Sequence, residues 1–320
     1  MYDVSSLADG IISGRRLGKG DDLGLLLEAP LDSLCESADR IRKALCGDKF
    51  DLCSIINGKS GRCPENCRFC AQSAHNHTDI KEYPFLDEEA IVSECRHNAE
   101  KGVHRFSIVT AGRTLSDGDF EKAAAAYARM HREFPQIKLC ASHGLLTSGQ
   151  FARLKECGVT TYHCNIETSR RNFPNICTTH TFDDKLECIG RAKASGLNVC
   201  SGGIIGMGEM WEDRLDMALT LAELGIRSVP INALRPIKGT PLEALTPLTK
   251  EDILRTAAIF RFILPDAFMR FAAGRNTLPL SGKEAFLSGM NAAITGDMLT
   301  TSGNGISEDV DMLGKMGYEV

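Results

Sequence analysis

The feature that most constrains this chain is an alternation that begins near residue 51 and does not stop. Short β-branched or apolar runs occur at 51–56, 104–109, 137–142, 160–166, 197–202, 226–232, 267–272 and 291–295. Each is followed by a longer amphipathic stretch, near 87–101, 117–134, 147–157, 182–195, 211–224, 249–263, 283–289 and 308–317. Strands in this pattern run parallel and are joined by right-handed helical crossovers. Eight such pairs predict a closed (β/α)8 TIM barrel. The alternative is an open doubly wound sheet, which the count of eight disfavours. The 320 residues suit one α/β barrel, and 43% hydrophobic residues with only 6% aromatics give a large, aliphatic core. Residues 1–50 read as an N-terminal helical extension, in which "LDSLCESADRIRKAL" carries apolar residues at helical spacing, and 51–320 as the barrel.

Composition narrows the class of function. The net charge is −5, with no basic stripe and no Lys/Arg cluster interleaved with aromatics, so no nucleic-acid partner is expected. No run approaches the roughly 20 apolar residues of a membrane helix, and "MYDVSSLADG" has no secretory pattern. The expectation is a cytoplasmic protein. There, 13 cysteines point to thiols, metal ligands or catalysis rather than to a disulfide framework.

Three of those cysteines, Cys63, Cys67 and Cys70, form C-x3-C-x2-C in "GRCPENCRFCAQ". The loop follows the first strand, so the barrel reading places it at the C-terminal mouth, where barrel enzymes keep their chemistry. Free core thiols fit poorly beside Pro64, Glu65, Asn66 and Arg68. A redox pair needs two cysteines, typically C-x-x-C. Structural zinc needs a fourth ligand such as His75 or His77. The remaining reading is an iron–sulfur cluster with one iron left open for a small molecule. C-x3-C-x2-C with an aromatic, Phe69, before the last cysteine resembles the signature of radical S-adenosylmethionine (AdoMet) enzymes. That resemblance implies a [4Fe–4S] cluster held by the three thiolates. AdoMet would occupy the fourth iron, and the chemistry would be hydrogen abstraction by a 5′-deoxyadenosyl radical.

Further stretches resemble the biotin synthase family in particular: "GRCPENCRFCAQSAH", "NICTTHTFDDKLE", "VCSGGIIGMGE", "SVPINALRPIKGTPL", "MRFAAGR" and "EDVDMLGKMGYEV". They run in order from about residue 50 to the end of the chain. The resemblance implies a sulfurtransferase that inserts sulfur into dethiobiotin to form biotin. The sulfur comes from an auxiliary iron–sulfur cluster inside the barrel. It also implies a flavodoxin or ferredoxin electron donor and a homodimer. Residue by residue, Asn165 and Glu167 match the polar pair that holds the AdoMet ribose and substrate, with Glu where Asp is more usual. Lys185 matches a position, usually Arg, that faces the AdoMet carboxylate; Lys keeps the charge without the bidentate fork. Gly202 and Gly203, in "SGGIIGMGE", match backbone that approaches the methionyl part of AdoMet. Asn232 matches a residue that bonds the ureido ring of dethiobiotin. His163 stands where the family usually has a substrate-facing Asn.

The auxiliary site is where this sequence departs from the family. Cys53, Ser107, Cys140 and Cys200 occupy equivalent places in "DLCSI", "RFSIV", "KLCAS" and "NVCSG", and alternation puts them on one face of their strands. Barrel interiors favour Val, Ile and Leu, so three thiols and a hydroxyl there are unusual; the plain alternative is a set of small core fillers. The family's auxiliary cluster is [2Fe–2S], held by thiolates from the second, third and fifth strands and by an arginine matched by Arg270. Here Ser107 replaces the second-strand cysteine, and Cys53 appears on the first strand. We read a rearranged set of Cys53, Cys140 and Cys200 that holds a four-iron cluster with one open iron. Arg105, with the parity of Ser107, faces it. Cys164 has the opposite parity to Asn165 and should face the helices, and Cys177 near the mouth is available as a spare ligand. Cys35, Cys46, Cys95, Cys157 and Cys188 fall on predicted helices as small hydrophobes. The competing functions are another radical enzyme of the same subgroup, such as a hydrogenase-cofactor maturase, and a metal-binding protein without catalysis.

Overall fold

The structure is a computed structural model describing residues 3–300 and 303–320. Its strands are β1 (Asp51–Lys59), β2 (Arg105–Thr110), β3 (Lys138–Ser142), β4 (Val159–His163), β5 (Asn198–Cys200), β6 (Gly203–Ile205), β7 (Ser228–Ala233), β8 (Phe268–Phe271) and β9 (Ala292–Ile294). All pair in parallel in the order β5-β4-β3-β2-β1-β9-β8-β7-β6, and a β5–β7 pairing closes the ring. β5 and β6 are successive halves of one stave. Both pair with β7 in one register, Cys200 opposite Ser228 and Gly203 opposite Ile231. The barrel therefore has eight staves, as the alternation predicts. The fifth run, read from sequence as one strand over 197–202, breaks at Ser201–Gly202, because glycine brings no side chain to hold a pleat. The fourth run ends at His163 rather than at 166.

The helices are α1 (Val4–Ile12), α2 (Gly24–Glu28), α3 (Leu31–Cys46), α4 (Glu88–Glu100), α5 (Asp117–Glu133), α6 (Ser148–Glu156), α7 (Phe173–Ile176), α8 (Phe182–Ala194), α9 (Trp211–Glu223), α10 (Lys250–Ile263), α11 (Lys283–Phe286) and α12 (Ile306–Lys315). Their starts are written locally. Capping boxes at Thr147/Gln150, Thr181/Asp184 and Thr249/Asp252 satisfy the free N–H groups that open α6, α8 and α10. The buried stripe of each crossover helix, such as Phe120, Ala123, Ala124, Tyr127 and Met130 on α5, packs into the layer between helices and barrel.

The N-terminal helices join this outer layer. α3 packs on α10 and α1 on α3. The end of the chain returns to the start of the barrel: Phe50 N–H donates to Glu319 O at 2.8 Å, and the Phe50 ring meets Phe286 and Tyr318 edge-on. The Arg42 guanidinium lies over Tyr318, 4.8 Å from the ring centre. Among the described residues no helix is long and apolar enough to cross a membrane.

Candidate active site

A cavity of about 420 Å³ opens at the C-terminal ends of the strands and runs down into the barrel. Cys63, Phe69, Cys67 and Cys70 line it from the loop after β1. That loop is wired by its own backbone and by short polar side chains. Cys63 N–H donates to Gln72 O at 3.0 Å, Ala74 N–H to Cys63 O at 2.8 Å, and the Asn76 amide to Cys67 O and Cys70 O at 3.2 and 2.8 Å. Gly61 enters the loop at φ 85°, where any other residue would be strained, and a Cβ there would push the Glu82 side chain aside from 2.6 Å. A second segment braces the loop from outside: Arg68 N–H donates to Ile176 O at 3.0 Å, and Asn66 Oδ1 accepts from Thr178 and Thr179 N–H at 2.9 and 3.2 Å.

Of the histidines that could complete a zinc site with these cysteines, His75 is turned elsewhere, its Nε2 3.0 Å from Pro64 O. The histidine that does approach them is His180, which sequence reasoning passed over. Its Nδ1 is bonded to the Glu65 carboxylate and lies 3.3 Å from Cys177 Sγ. Burial pushes the Cys63 thiol up and the Cys70 thiol up to about 11. Buried thiols become thiolates when a bound metal supplies the missing positive charge. The donor set therefore fits an iron–sulfur cluster: three thiols, close in sequence, open to a cavity large enough for a cofactor.

Deeper in the same cavity, Cys53, Ser107, Cys140 and Cys200 all face inward. The pairing sets them side by side: Ser107 opposite Cys140, and Cys53 opposite both Arg105 and Ile294. Ser228 Oγ donates to Cys200 Sγ at 3.2 Å. Each thiol is raised first by burial; Cys140 and Cys200 add to the rise at Cys53, while Arg270 opposes it. Arg270, 3% exposed, donates to Asp51 O and Ala293 O at 2.9 and 3.1 Å, which leaves its Nη2 beside the Asp51 carboxylate at 3.4 Å. Arg105 Nε donates to the same carboxylate at 2.6 Å. Asp51 was not singled out from sequence, although it shares the parity of Cys53 two residues on.

The cofactor and substrate side is built by a bulge. His163 pairs with Cys200 and Glu167 with Gly203, so four steps of the fourth stave span three of the fifth. The extra residue is absorbed where Glu167 takes φ 68°, a left-handed conformation uncommon outside glycine. His163, Asn165 and Glu167, which alternate along the stave, all line the cavity, as does Lys185 from α8. Asn165 Oδ1 accepts from Gly202 N–H at 3.0 Å, and its amide donates to Glu167 Oε2 at 3.4 Å. Burial works against the Lys185 ammonium, but Cys164 and Glu167 outweigh it and hold its pKa above the ordinary value. Burial pulls the His163 imidazole down, so it is neutral at pH 7.

Gly202 and Gly203 are tightly enclosed by protein. A Cβ on Gly202 would lie 1.9 Å from Pro230 O, and one on Gly203 would lie 2.3 Å from Glu167 O. Their backbone holds the site residues: Gly203 O accepts from the Asn232 amide at 3.1 Å, while Asn232 Oδ1 accepts from Ala273 N–H at 3.1 Å. Asn232 lines the cavity from β7. Cys164 is bonded through its thiol to Cys188 of α8, which joins the fourth stave to that helix.

Comparison with known proteins places the chain in a family. The radical SAM superfamily pattern matches residues 59–221, and the biotin and thiamin synthesis associated domain matches 230–319. The biotin synthase of Alkaliphilus metalliredigens (strain QYMF) is 60% identical over 99% of this chain and all of its own length. That of Clostridium beijerinckii is 58% identical over 99% of this chain and all of its own, and that of Akkermansia muciniphila 52% over 99% and 98%. Methylornithine synthase shares the fold at a TM-score of 0.84 and 20% identity, covering 98% of this chain and 97% of its own. A maturase of the [FeFe]-hydrogenase shares it at 0.81 and 17%, covering 99% and 74%. With both domain patterns in place and relatives this similar along the whole chain, the protein belongs to the biotin synthase family of radical AdoMet enzymes.

Proposed function

We propose that the two thiol sets divide the work of biotin synthesis, with the AdoMet cluster at the mouth and the sulfur source below it. The family's activity is radical AdoMet-dependent insertion of sulfur into dethiobiotin. The observation that carries the division is that one cavity is lined both by Cys63, Cys67 and Cys70 and by Cys53, Cys140 and Cys200. In this reading the first three hold a [4Fe–4S] cluster whose open iron takes AdoMet. When bound, cluster and AdoMet supply a one-electron cleavage that delivers a hydrogen-abstracting 5′-deoxyadenosyl radical. Phe69 and the strained Glu167 position the adenosyl end, and Asn165 ties Glu167 to the Gly202 backbone. Lys185 pairs with the AdoMet carboxylate as a point charge. His163 and Asn232 face dethiobiotin, His163 as a neutral hydrogen-bonding group.

Cys53, Cys140 and Cys200 hold the auxiliary cluster, with Ser107 too weak a donor to replace a thiolate. The set differs from the family's in that Cys53 of the first stave stands in for the second-stave thiolate, and three thiolates would leave one iron of a four-iron cluster open, as at the mouth. Arg270 and Arg105, neutralised in part by Asp51, balance the charge of its thiolates. The electron donor is a flavodoxin or ferredoxin, and the enzyme works as a cytoplasmic homodimer; the family resemblance supports both.

The test is anaerobic reconstitution with iron and sulfide, then AdoMet, dethiobiotin and reductant, with iron counted and products read by mass spectrometry. Biotin with 5′-deoxyadenosine, from protein carrying eight irons per chain on this assignment, is the expected result. Two irons beyond the AdoMet cluster overturn the four-iron assignment. 5′-Deoxyadenosine without biotin overturns the sulfur source and leaves the radical site standing.

A further inference from the structure

One group of side chains has no task in this scheme. Cys177 and His180 lie outside the cavity lining, at 4% and 6% exposure, on the segment that braces the cysteine loop. Cys67 Sγ, Cys177 Sγ and a ring nitrogen of His180 nevertheless lie within 4.8 Å of one another. The Cys67 thiol is hydrogen-bonded to Cys177, and Cys177 Sγ is 3.3 Å from His180 Nδ1. Glu65 stands directly behind. Its carboxylate is bonded to His180 Nδ1 and accepts from Thr179 Oγ1 at 2.7 Å. Two sulfurs and an imidazole nitrogen converging on one point, backed by a carboxylate, are the donor types of a tetrahedral zinc site.

We propose that the chain without its AdoMet cluster binds one Zn²⁺ through Cys67, Cys177 and His180, with Glu65 beside the fourth position. Each cysteine binds as thiolate and His180 as neutral imidazole, and the protons they carried pass to solvent. The cation takes the place of the protons these three groups now share. The site and the AdoMet cluster exclude each other, because both need Cys67. That exclusion rests on the assignment of Cys67 to the cluster; the zinc site does not. Zinc loading thus holds the cysteine loop closed against its brace and keeps the protein in an inactive, cluster-free state.

The probe is Co²⁺, then Zn²⁺, titrated anaerobically into the full-length, cluster-free chain. One Co²⁺ per chain with tetrahedral visible bands and thiolate charge transfer is expected, displaced by Zn²⁺. Cys177→Ser and His180→Ala each weaken it by at least about tenfold, while Cys63→Ser and Cys70→Ser leave it unchanged. Binding lost with Cys63 or Cys70 and kept without Cys177 overturns the site. X-ray absorption of the zinc-loaded wild type, which needs no variant to fold, is expected to count two sulfurs; three sulfurs overturn it equally. Iron and sulfide added to the zinc-loaded chain then test the exclusion alone. No AdoMet cluster should form until zinc is chelated. A cluster assembling with zinc still bound overturns the exclusion and the role given to Cys67, and leaves the zinc site intact.

Discussion

At Asp51 a single carboxylate, 10% exposed in its side chain, serves two guanidiniums: Arg105 at 2.6 Å and Arg270 at 3.4 Å. Burial alone would raise its pKa, but Arg270 and then Arg105 outweigh burial and hold it below 3.8. Its contribution to stability is therefore present above that value and is lost as pH falls through the lower, folded-state pKa. Asp51→Asn leaves the buried Arg270 and the half-buried Arg105 without their counter-charge. The expected cost is about 3–5 kcal/mol in urea unfolding of the cluster-free chain, and a loss under about 1 kcal/mol would show that the cations do not depend on it. Cys53→Ala makes a different prediction. The reconstituted variant should lose only the auxiliary iron and sulfide, and should still form 5′-deoxyadenosine while biotin disappears. Undiminished biotin formation would remove Cys53 from the sulfur source. Sequence alternation alone was enough to place Cys53, Cys140 and Cys200 on one interior face. It could not weigh Asp51, because the arginines that give that carboxylate its role come from β2 and β8 and meet it only once the barrel closes.

Among the elements, the fourth and fifth staves carry the departures from regular structure, and those departures build the site. The fourth stave takes up one extra residue between His163 and Glu167, and the β5–β6 break places glycine backbone against Asn165 and Glu167. In sequence, Asn165, Glu167, Gly202 and Gly203 stand out through the family resemblance, but the bulge and the strand break between them do not. Strand pattern reports which residues alternate, not where one extra residue is absorbed. The brace of the cysteine loop was hidden for another reason: Glu65 and Asn66 meet Thr178–His180 across more than a hundred residues, through short polar side chains that resemble any loop. The packing here gives a sharp prediction. In Gly203→Ala the new Cβ meets Glu167 O at 2.3 Å and Met217 Sδ at 2.5 Å, and the carbonyl belongs to a residue already at φ 68°. The stave must shift, at a cost of about 1–3 kcal/mol, and Glu167 moves with it. Calorimetry should show AdoMet binding weakened by more than the change in thermal stability of the cluster-loaded protein accounts for. Unaltered AdoMet affinity would mean that Glu167 does not need this contact.

For the whole molecule, the eightfold repeat was readable because each stave repeats one local pattern. Closure itself was not, since it depends on short strands such as β9, three residues long, pairing with both β8 and β1. The barrel wall also contains a titratable group that links global stability to pH. His143 is fully buried just past β3, its Nδ1 3.0 Å from Thr110 Oγ1 and its Nε2 3.1 Å from Tyr127 OH, both supplied by neighbouring elements. Burial pulls its pKa from 6.5 down to about 3. The unfolded chain therefore takes up a proton on this histidine near pH 6.5 that the folded chain refuses until about pH 3. The stability this neutral imidazole contributes is complete above pH 6.5 and drains away as pH falls toward 3. Across that window one such proton makes the unfolding free energy fall by about 1.4 kcal/mol per pH unit. His143→Gln keeps a neutral polar group in the same place and cannot titrate. Its unfolding free energy, measured in urea between pH 7 and pH 4.5 on the cluster-free chain, should begin about 1–3 kcal/mol lower because a hydrogen bond is poorly replaced. It should then decline more shallowly than wild type, so that the two curves converge as the pH falls. Parallel curves would mean that His143 takes up its proton in the folded barrel as readily as in the unfolded chain, and that burial does not hold it neutral.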